Sequence, residues 1–386
     1  MANDPGRRGD DAMSGLRIAI AARTSGECGI RDYAERLAAR LPPDIEVRWI
    51  DLGACASRAD LRRAARRANE ADAVHVHYEY PLFGRVSPLC NRYAAFMRGL
   101  AVPSVATLHN MFPRLWRGGR ALLRSGPAGW LRQALYLPFL PTWEDAQYRL
   151  AALSIAHTAA IARRAARAVG TDRVWLTPLP VPSCGTPWEP RPRASGEFRM
   201  VTPGFIKEHK GYEDALALFE ANPGWTWTLA GGPQDAQDRA FLGRLKARIA
   251  ACGCSGRVRI TGYLPADELE RVTRDADAAL YPFRHATGSA SAALALGLGM
   301  PIFASGIPSM RELAEAGAGL VLLDPSDPAR WPEAARRPAD DAQALTAMAG
   351  RNRAFARDHG YDALARRLAG WFEDARRRAR AGRAAS

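Results

Sequence analysis

Between the strand-like run ending at Tyr281 and the apolar run at Ile302 lies the turn His285-Ala-Thr-Gly-Ser-Ala, which carries no bulky side chain beyond its histidine. A ligand could approach the backbone of Thr287, Gly288, Ser289 and Ala290 closely, and a helix starting near Ser289 would point its free N–H groups at that ligand. An anion such as a diphosphate suits that position. A second anion-friendly setting is Lys207 and Lys210, just ahead of Gly211 and an expected helix; a solvated loop is the plain alternative for these lysines. His75 and His77 share one strand face by the period-two rule, but no further cluster of ligating residues accompanies them, so no metal site is expected.

The elements that must position these residues alternate along the chain. Strands are expected at Leu16–Ala22, Glu46–Asp51, Ala73–His77, Ser104–Leu108, Ala152–Ala156 and Val174–Thr177, with helices at Ile30–Leu41 and Arg58–Ala71. A second series is expected at Arg199–Pro203, Thr226–Ala230, Val258–Thr261, Ala278–Tyr281, Ile302–Ala304 and Leu320–Leu323. Prolines 178, 180, 182, 187, 190 and 192 interrupt regular structure between the two series. The expected class is α/β, with two Rossmann-like doubly wound domains facing across a cleft and ligands outside the C-terminal strand ends. The organisation reads as a polar tail over 1–14, a first domain over 15–182 and a Pro-rich linker over 183–197. A second domain over 198–358 and a basic helix and tail over 359–386 complete it.

From His285 to Met310 there is no charged residue, a length that could span a membrane, yet Gly288, Gly297, Gly299, Pro301 and Pro308 cut it into short pieces, so a buried helix is expected. The 386 residues suffice for two cores. Residues 1–14 are polar and do not read as a leader, and the scattered cysteines lack zinc-site spacing, so a cytoplasmic protein with reduced thiols is expected. The formal charge of +14 attracts anions, whether from a real anionic partner or from an arginine-rich coding bias.

Several phrases in order resemble the retaining glycosyltransferases of the GT-B fold, specifically glycosyltransferase family 4. They are Ser25-Gly-Glu-Cys-Gly-Ile-Arg-Asp-Tyr-Ala, Asp72 to Gly84, Val105-Ala-Thr-Leu-His-Asn, Gly204-Phe-Ile-Lys-Glu-His-Lys-Gly, Leu229-Ala-Gly-Gly-Pro and Val258 to Pro265, followed by the turn at His285. The resemblance implies a nucleotide diphosphate sugar donor and a saccharide or lipid-linked acceptor. It implies donor contacts at Gly29, Gly204, Lys207, Lys210, Tyr263, Thr287, Gly288, Ser289 and Ala290, acceptor contacts at Glu79 and Tyr80, and catalytic parts for His109 and Lys210. For His109 the alternative is a histidine satisfied in the core; for Glu79 and Tyr80 it is a capping or surface role. No cofactor or metal is implied.

Two departures from the family pattern stand out. The arginine expected after the turn glycine is Phe205, with Lys207 as a shifted substitute, and two glutamates eight positions apart are replaced by Ala286 and Leu294. A subgroup with small residues at this turn resembles the present chain. A non-catalytic scaffold that binds nucleotide without turnover is the rival from another class; a nucleotide-sugar epimerase is the enzyme rival. Over residues 112–143, Arg114, Arg117, Arg120, Arg124 and Arg132 alternate with Trp116, Trp130 and bulky aliphatics without an acidic residue. That pattern fits either an anionic membrane surface or a loop and helix packed on their own domain. No recognition module for nucleic acid is visible.

Overall fold

The computed structural model describes residues 15–24, 29–83, 91–111, 145–286 and 288–384. The basic aromatic segment 112–143, Thr287 and Ser25–Cys28 of the first glycine loop lie outside the described residues.

The chain divides into two compact units, one comprising residues 1–155, 164–175 and 365–386, the other 156–163 and 176–364. The first unit is built on a six-stranded sheet of order β2-β1-β3-β4-β5-β6. Its strands are β1 (Leu16–Ala22), β2 (Ile45–Asp51), β3 (Ala73–Tyr78), β4 (Ser104–Leu108), β5 (Leu153–Ala156) and β6 (Val174–Leu176). β1 runs parallel to β2 and β3, and β3 to β4. Helices α1 (Gly29–Ala38), α2 (Arg58–Ala68), α3 (Arg92–Met97) and α4 (Ala159–Val169) alternate with the strands. The entry to α2 is fixed by a capping box, in which Ser57 Oγ accepts from the Asp60 N–H and Asp60 reaches back to the Ser57 N–H.

The second unit carries a parallel six-stranded sheet of order β12-β11-β10-β7-β8-β9. Its strands are β7 (Phe198–Pro203), β8 (Trp225–Ala230), β9 (Val258–Ile260), β10 (Ala278–Tyr281), β11 (Ile302–Ser305) and β12 (Leu320–Leu323). Helices α5 (Tyr212–Ala221), α6 (Ala236–Ala251), α7 (Ala266–Arg274), α8 (Ala290–Leu298) and α9 (Pro308–Glu315) follow successive strands. Helices α10 (Trp331–Asp340) and α11 (Ala342–Asp358) come after β12, and α12 (Tyr361–Ala384) ends the described chain. Side-chain alternation along the strands splits the apolar residues between two faces: Phe198, Met200, Leu280 and Phe303 enter one core, and Val201, Ala279, Tyr281 and Ile302 the other. Both faces are covered, which is why these strands read as continuous apolar runs.

The strand order reverses between β7 and β10, because the chain builds outward through β8 and β9 before returning to the other side of β7. In open parallel sheets that switch point leaves a crevice outside the carboxyl ends of the strands. The uncharged run resolves into α8 of nine residues, the turn at Gly299 and β11. No helix among the described residues is long and apolar enough to cross a membrane.

The units are cut differently from the expected domains. Trp188, expected in the linker, packs into the second unit, its buried indole donating to the Ala276 carbonyl at 2.8 Å, and Val181, expected at the end of the first domain, does the same, its N–H donating to the His359 carbonyl at 3.0 Å. Most of α12 belongs to the first unit, where the Phe372 ring lies 6.4 Å from that of His75. Burial of Trp188 and Phe372 draws their segments onto a core, which proline content and net charge do not reveal.

Asn352, fully buried on α11, closes the ends of β11 and β12. Its amide donates to the carbonyls of Met300 at 2.8 Å and Gly319 at 3.0 Å, and its oxygen accepts from the Gly319 N–H at 2.6 Å. Asn352→Ala would leave buried backbone groups unsatisfied, at a cost of about 3 kcal/mol. A clear fall in the thermal unfolding midpoint is the expected outcome, and an unchanged midpoint would show that water replaces the amide.

Candidate functional site

The loops at the switch point meet through bare backbone. Gly204 leaves β7 with φ +95°, and Gly211 turns into α5 with φ +67°, both in the region that favours glycine. A Cβ on Gly211 would sit 2.0 Å from the Pro282 carbonyl oxygen, and one on Gly231 would sit 2.2 Å from that of Gly204. Only glycine lets the ends of β7, β8 and β10 approach this closely. The Arg284 guanidinium adds a bidentate pair with Asp214 on α5, at 2.7 and 2.8 Å, while its backbone N–H donates to the His209 carbonyl.

This packing places Lys210 beside Gly204: a Cβ on Gly204 would be 3.4 Å from Lys210 Nζ and 3.6 Å from Ser291 Cβ. The lysine ammonium therefore lies next to the first turn of α8. Ser289 caps that helix, its Oγ accepting the Ala292 N–H at 3.2 Å and lying 3.0 Å from Ser291 Oγ. Among the described residues no carboxylate lies within ion-pair distance of Lys210, and the Phe283 ring stands 5.8 Å from Nζ to centroid. Burial, reinforced by the nearby Lys207 charge and opposed by Asp238, pulls its pKa down to about 8. The result is a partly buried cation at a helix N-terminus, an arrangement that accepts an anion.

Lys207 does not fill the arginine position in the way expected. Its ammonium pairs with Asp238 at 3.2 Å, and Asp238 is held in the first turn of α6. The expectation from sequence counted cations along one loop, whereas the neutralising carboxylate comes from a helix after the next strand. Phe205 stands exposed in place of the arginine, with its ring near that of Tyr263. His209, its ring 5.0 Å from that of His285, has its pKa lowered by burial, with His285 and the two lysines adding to the effect.

Gly204, Lys207, Lys210, Tyr263, Gly288, Ser289 and Ala290 thus lie on the carboxyl-end loops of one sheet. Gly288 is open: a Cβ added there would meet no atom within 4 Å. A cavity of about 200 Å³ in the same unit touches Gly288 and Ser289 but is otherwise largely apolar, lined by Leu176, Leu179, Leu296, Met310 and Leu313. It does not reach Lys207, Lys210 or Tyr263, so the charged residues lie along an open edge rather than in that cavity.

The remaining expected residues belong to the first unit. Gly29 opens α1. His109, just past β4, lies with its Nε2 3.0 Å from His77 Nδ1, so one proton is shared between them, and the Tyr33 ring stands edge-on 5.0 Å away. His75 Nε2 lies 2.7 Å from Thr107 Oγ1. Among the described residues there is no group of three or more residues that could hold a metal ion. Glu79 follows β3 half-buried, its pKa raised by burial and drawn back by Arg23. Tyr80 begins a short helical turn over Tyr80–Phe83.

Comparison with known proteins gives this geometry a context. Residues 189–355 match the sequence profile of the family described as "Glycosyl transferases group 1". The 2-deoxystreptamine glucosyltransferase of Streptomyces kanamyceticus is 29% identical over 143 residues, covering 36% of this chain and 35% of that protein. The chain thus matches about a third of the length of this curated relative. Among solved structures, Anabaena Alr3699/HepE in complex with UDP superposes with a TM-score of 0.68 at 13% identity, covering 93% of this chain and 100% of that one. The sucrose-phosphate synthase of Thermosynechococcus elongatus gives 0.61 at 16% identity, covering 93% and 98%. The lipopolysaccharide outer core galactosyltransferase WaaB gives 0.62 at 14% identity, covering 92% and 98%. The fold is that of GT-B glycosyltransferases.

The close approach at Gly231 supports a structural test. Gly231→Ala forces the β8 loop off the Gly204 carbonyl, because backbone cannot swing aside as a side chain can. A loss of stability of about 2 kcal/mol is expected by the magnitude usual for overpacking. Chemical denaturation measures it, and a wild-type midpoint would show that the loops are not locked.

Proposed function

We propose that the protein is a retaining glycosyltransferase that moves a sugar from a nucleotide diphosphate sugar to a saccharide or lipid-linked acceptor. The observation that carries this reading is the partly buried Lys210 ammonium beside Gly204 and the first turn of α8, at the switch point of a GT-B sheet. As the glycosidic bond to the donor breaks, negative charge grows on the departing diphosphate. Lys210 and the N–H groups of Ala290 and Ser291 would stabilise it. Preorganised donors in a partly dehydrated site strengthen that effect, since neither must be reoriented during the reaction.

As the resemblance implies, His109 would contact the transferred sugar and Glu79 the acceptor. No step is assigned to a metal or cofactor. The Anabaena protein was crystallised with UDP and with UDP-glucose, which makes UDP-glucose the first donor to test. Synthesis of a surface polysaccharide or glycoconjugate on the cytoplasmic side of a membrane belongs to this proposal, with residues 112–143 as the anionic-surface contact.

The non-catalytic reading retains one specific support. Ala286 and Leu294, where many relatives of the resembled family carry glutamates, are partly buried against the second unit's core. Neither can hydrogen-bond a sugar hydroxyl through its side chain. Incubation with UDP-glucose and other nucleotide sugars, with saccharide acceptors and with a membrane extract, separates the readings. Nucleotide release that depends on acceptor supports transfer; tight binding without release supports the scaffold.

Lys210 supplies a sharper test. Removing a charge-assisted contact costs about 1.5–3 kcal/mol, so Lys210→Ala should weaken UDP binding at least about tenfold. In the free protein Lys210 loses its proton as pH rises through about 8. The diphosphate is already fully charged above about pH 7, so wild-type affinity should fall between about pH 7 and pH 9.5. Lys210→Arg should flatten that dependence, because the guanidinium remains protonated. Calorimetric affinities that do not change with pH would remove Lys210 from the anion site.

A further inference from the structure

The cavity of about 200 Å³ beside Gly288 and Ser289 has an apolar wall and an acidic side. Leu176, Leu179, Leu296, Met310 and Leu313 form the wall. Glu312 and Glu315 of α9 also line it, and no lysine or arginine does. In a chain with 54 Lys and Arg against 40 Asp and Glu, composition alone would favour the opposite sign.

The α9 sequence builds that side. Counting from Ser309, positions 312, 313 and 316 recur at the three- and four-residue spacing of one helix face, and that face lines the cavity. Arg311, the one cation of α9, is not in the lining; its Nε donates to the Gly306 carbonyl at 2.6 Å. Glu312 Oε2 accepts the Ala159 N–H at 2.8 Å, which satisfies the first turn of α4 and leaves the other oxygen available. Among the described residues neither Glu312 nor Glu315 pairs with a cation, and three positions apart on one helix the two carboxylates are neighbours that repel. His157, also in the lining, adds no charge at neutral pH: its Nδ1 donates to the Thr177 carbonyl at 3.1 Å, and burial pulls its pKa down to about 4. Ser309 is a separate sign of a ligand. It is 8% exposed, it lines the cavity, and its Oγ has no hydrogen-bond partner among the described residues. A hydroxyl held away from water in that state costs free energy until something bonds it.

We propose that this cavity seats the acceptor of the transfer, and that the acceptor is a six-membered ring carrying a primary ammonium, as in an amino sugar or an aminocyclitol. The inference rests on the nucleotide-sugar reading above and narrows its acceptor. An apolar cavity of about 150 Å³ holds a benzene molecule, so the present one takes a single substituted ring. The C–H face of the ring lies against the leucines, the ammonium between Glu312 and Glu315, and a ring hydroxyl against Ser309 Oγ. Two carboxylates without a cation repel an anionic acceptor, so a lipid-linked chain fits only with its phosphate outside. Gly288 and Ser289 border the cavity, which brings the acceptor next to the proposed donor turn. There an acceptor hydroxyl oxygen bonds to the anomeric carbon as the bond from that carbon to the diphosphate oxygen breaks, and the hydroxyl proton goes to the departing diphosphate.

NMR titration of the full chain with cyclohexylamine and with cyclohexanol, rings of one size that differ in charge, isolates the ammonium contact. The amine should bind at least about tenfold more tightly, the scale of one charge-assisted hydrogen bond. Glu312→Gln combined with Glu315→Gln should remove that preference and leave UDP binding at least as tight as in the wild type. The glutamine amide oxygen at position 312 still accepts the Ala159 N–H, and a thermal midpoint checks that the fold is kept. Ala316→Trp, at an exposed position of the lining, should block both rings. In nucleotide-release assays across UDP, GDP, dTDP and ADP sugars, amino sugars should stimulate release more than their neutral counterparts, and the double substitution should abolish the difference.

Equal affinity for amine and alcohol, or a preference that survives the double substitution, would overturn the proposal; UDP binding in the same samples would leave the donor site standing. Release stimulated by neutral sugars alone, or by no amino sugar with any donor, would overturn the acceptor assignment. If the wild-type protein binds no nucleotide, the nucleotide reading falls, and the acceptor assignment falls with it even where the glutamate-dependent amine preference is present.

Discussion

Direct backbone contact between the ends of β7, β8 and β10 is the constraint on which the rest of the second unit depends. Gly231 meets the Gly204 carbonyl and Gly211 meets the Pro282 carbonyl at distances no other residue could tolerate. With those contacts in place, the loop from Gly204 to Gly211 is short and rigid, and it folds Lys210 back against Gly204. The arginine clamp from Arg284 to Asp214 holds the β10 loop against α5, which sets where α8 begins. A cation, a capped helix N-terminus and an open glycine are thus brought together by packing, before any ligand is bound.

The electrostatics follow from that placement. Burying an ammonium without a carboxylate costs free energy and pulls its pKa down. Lys207, one turn of chain away, is instead neutralised by Asp238, so the two lysines do different work despite their similar setting in sequence. An incoming polyanion would supply a counter-charge to Lys210 and offset part of the cost of holding its ammonium away from water. This is the usual logic of a preorganised anion site, in which the protein carries the cost of assembly.

Much of the fold was legible in the sequence, because parallel strands covered on both faces appear as short, continuous apolar runs between turn residues. β1, β4, β10 and β12 fall where the apolar runs predict, and Ser289 caps α8 as the small-residue turn implies. The glycines at 204, 211 and 288 marked the site for the same reason they build it. Long-range facts were hidden. Nothing in the local pattern pairs Lys207 with Asp238, brings Phe205 to Tyr263, or buries Trp188 within a proline-rich stretch, since each contact joins residues from separate elements. The departure at Phe205 was visible only as a missing charge; its exposed ring and its partner required coordinates. His77 likewise read as one of two histidines on a strand face, whereas its shared proton with His109 depends on two strand ends lying side by side.

The central claim is that the diphosphate of a nucleotide lies between Lys210 and the first turn of α8. A crystal structure of the protein soaked with UDP tests it most directly. The account predicts the β-phosphate within hydrogen-bonding distance of Lys210 Nζ and of the Ala290 or Ser291 N–H. UDP ordered elsewhere on the protein, with Lys210 and the α8 N-terminus untouched, would contradict it.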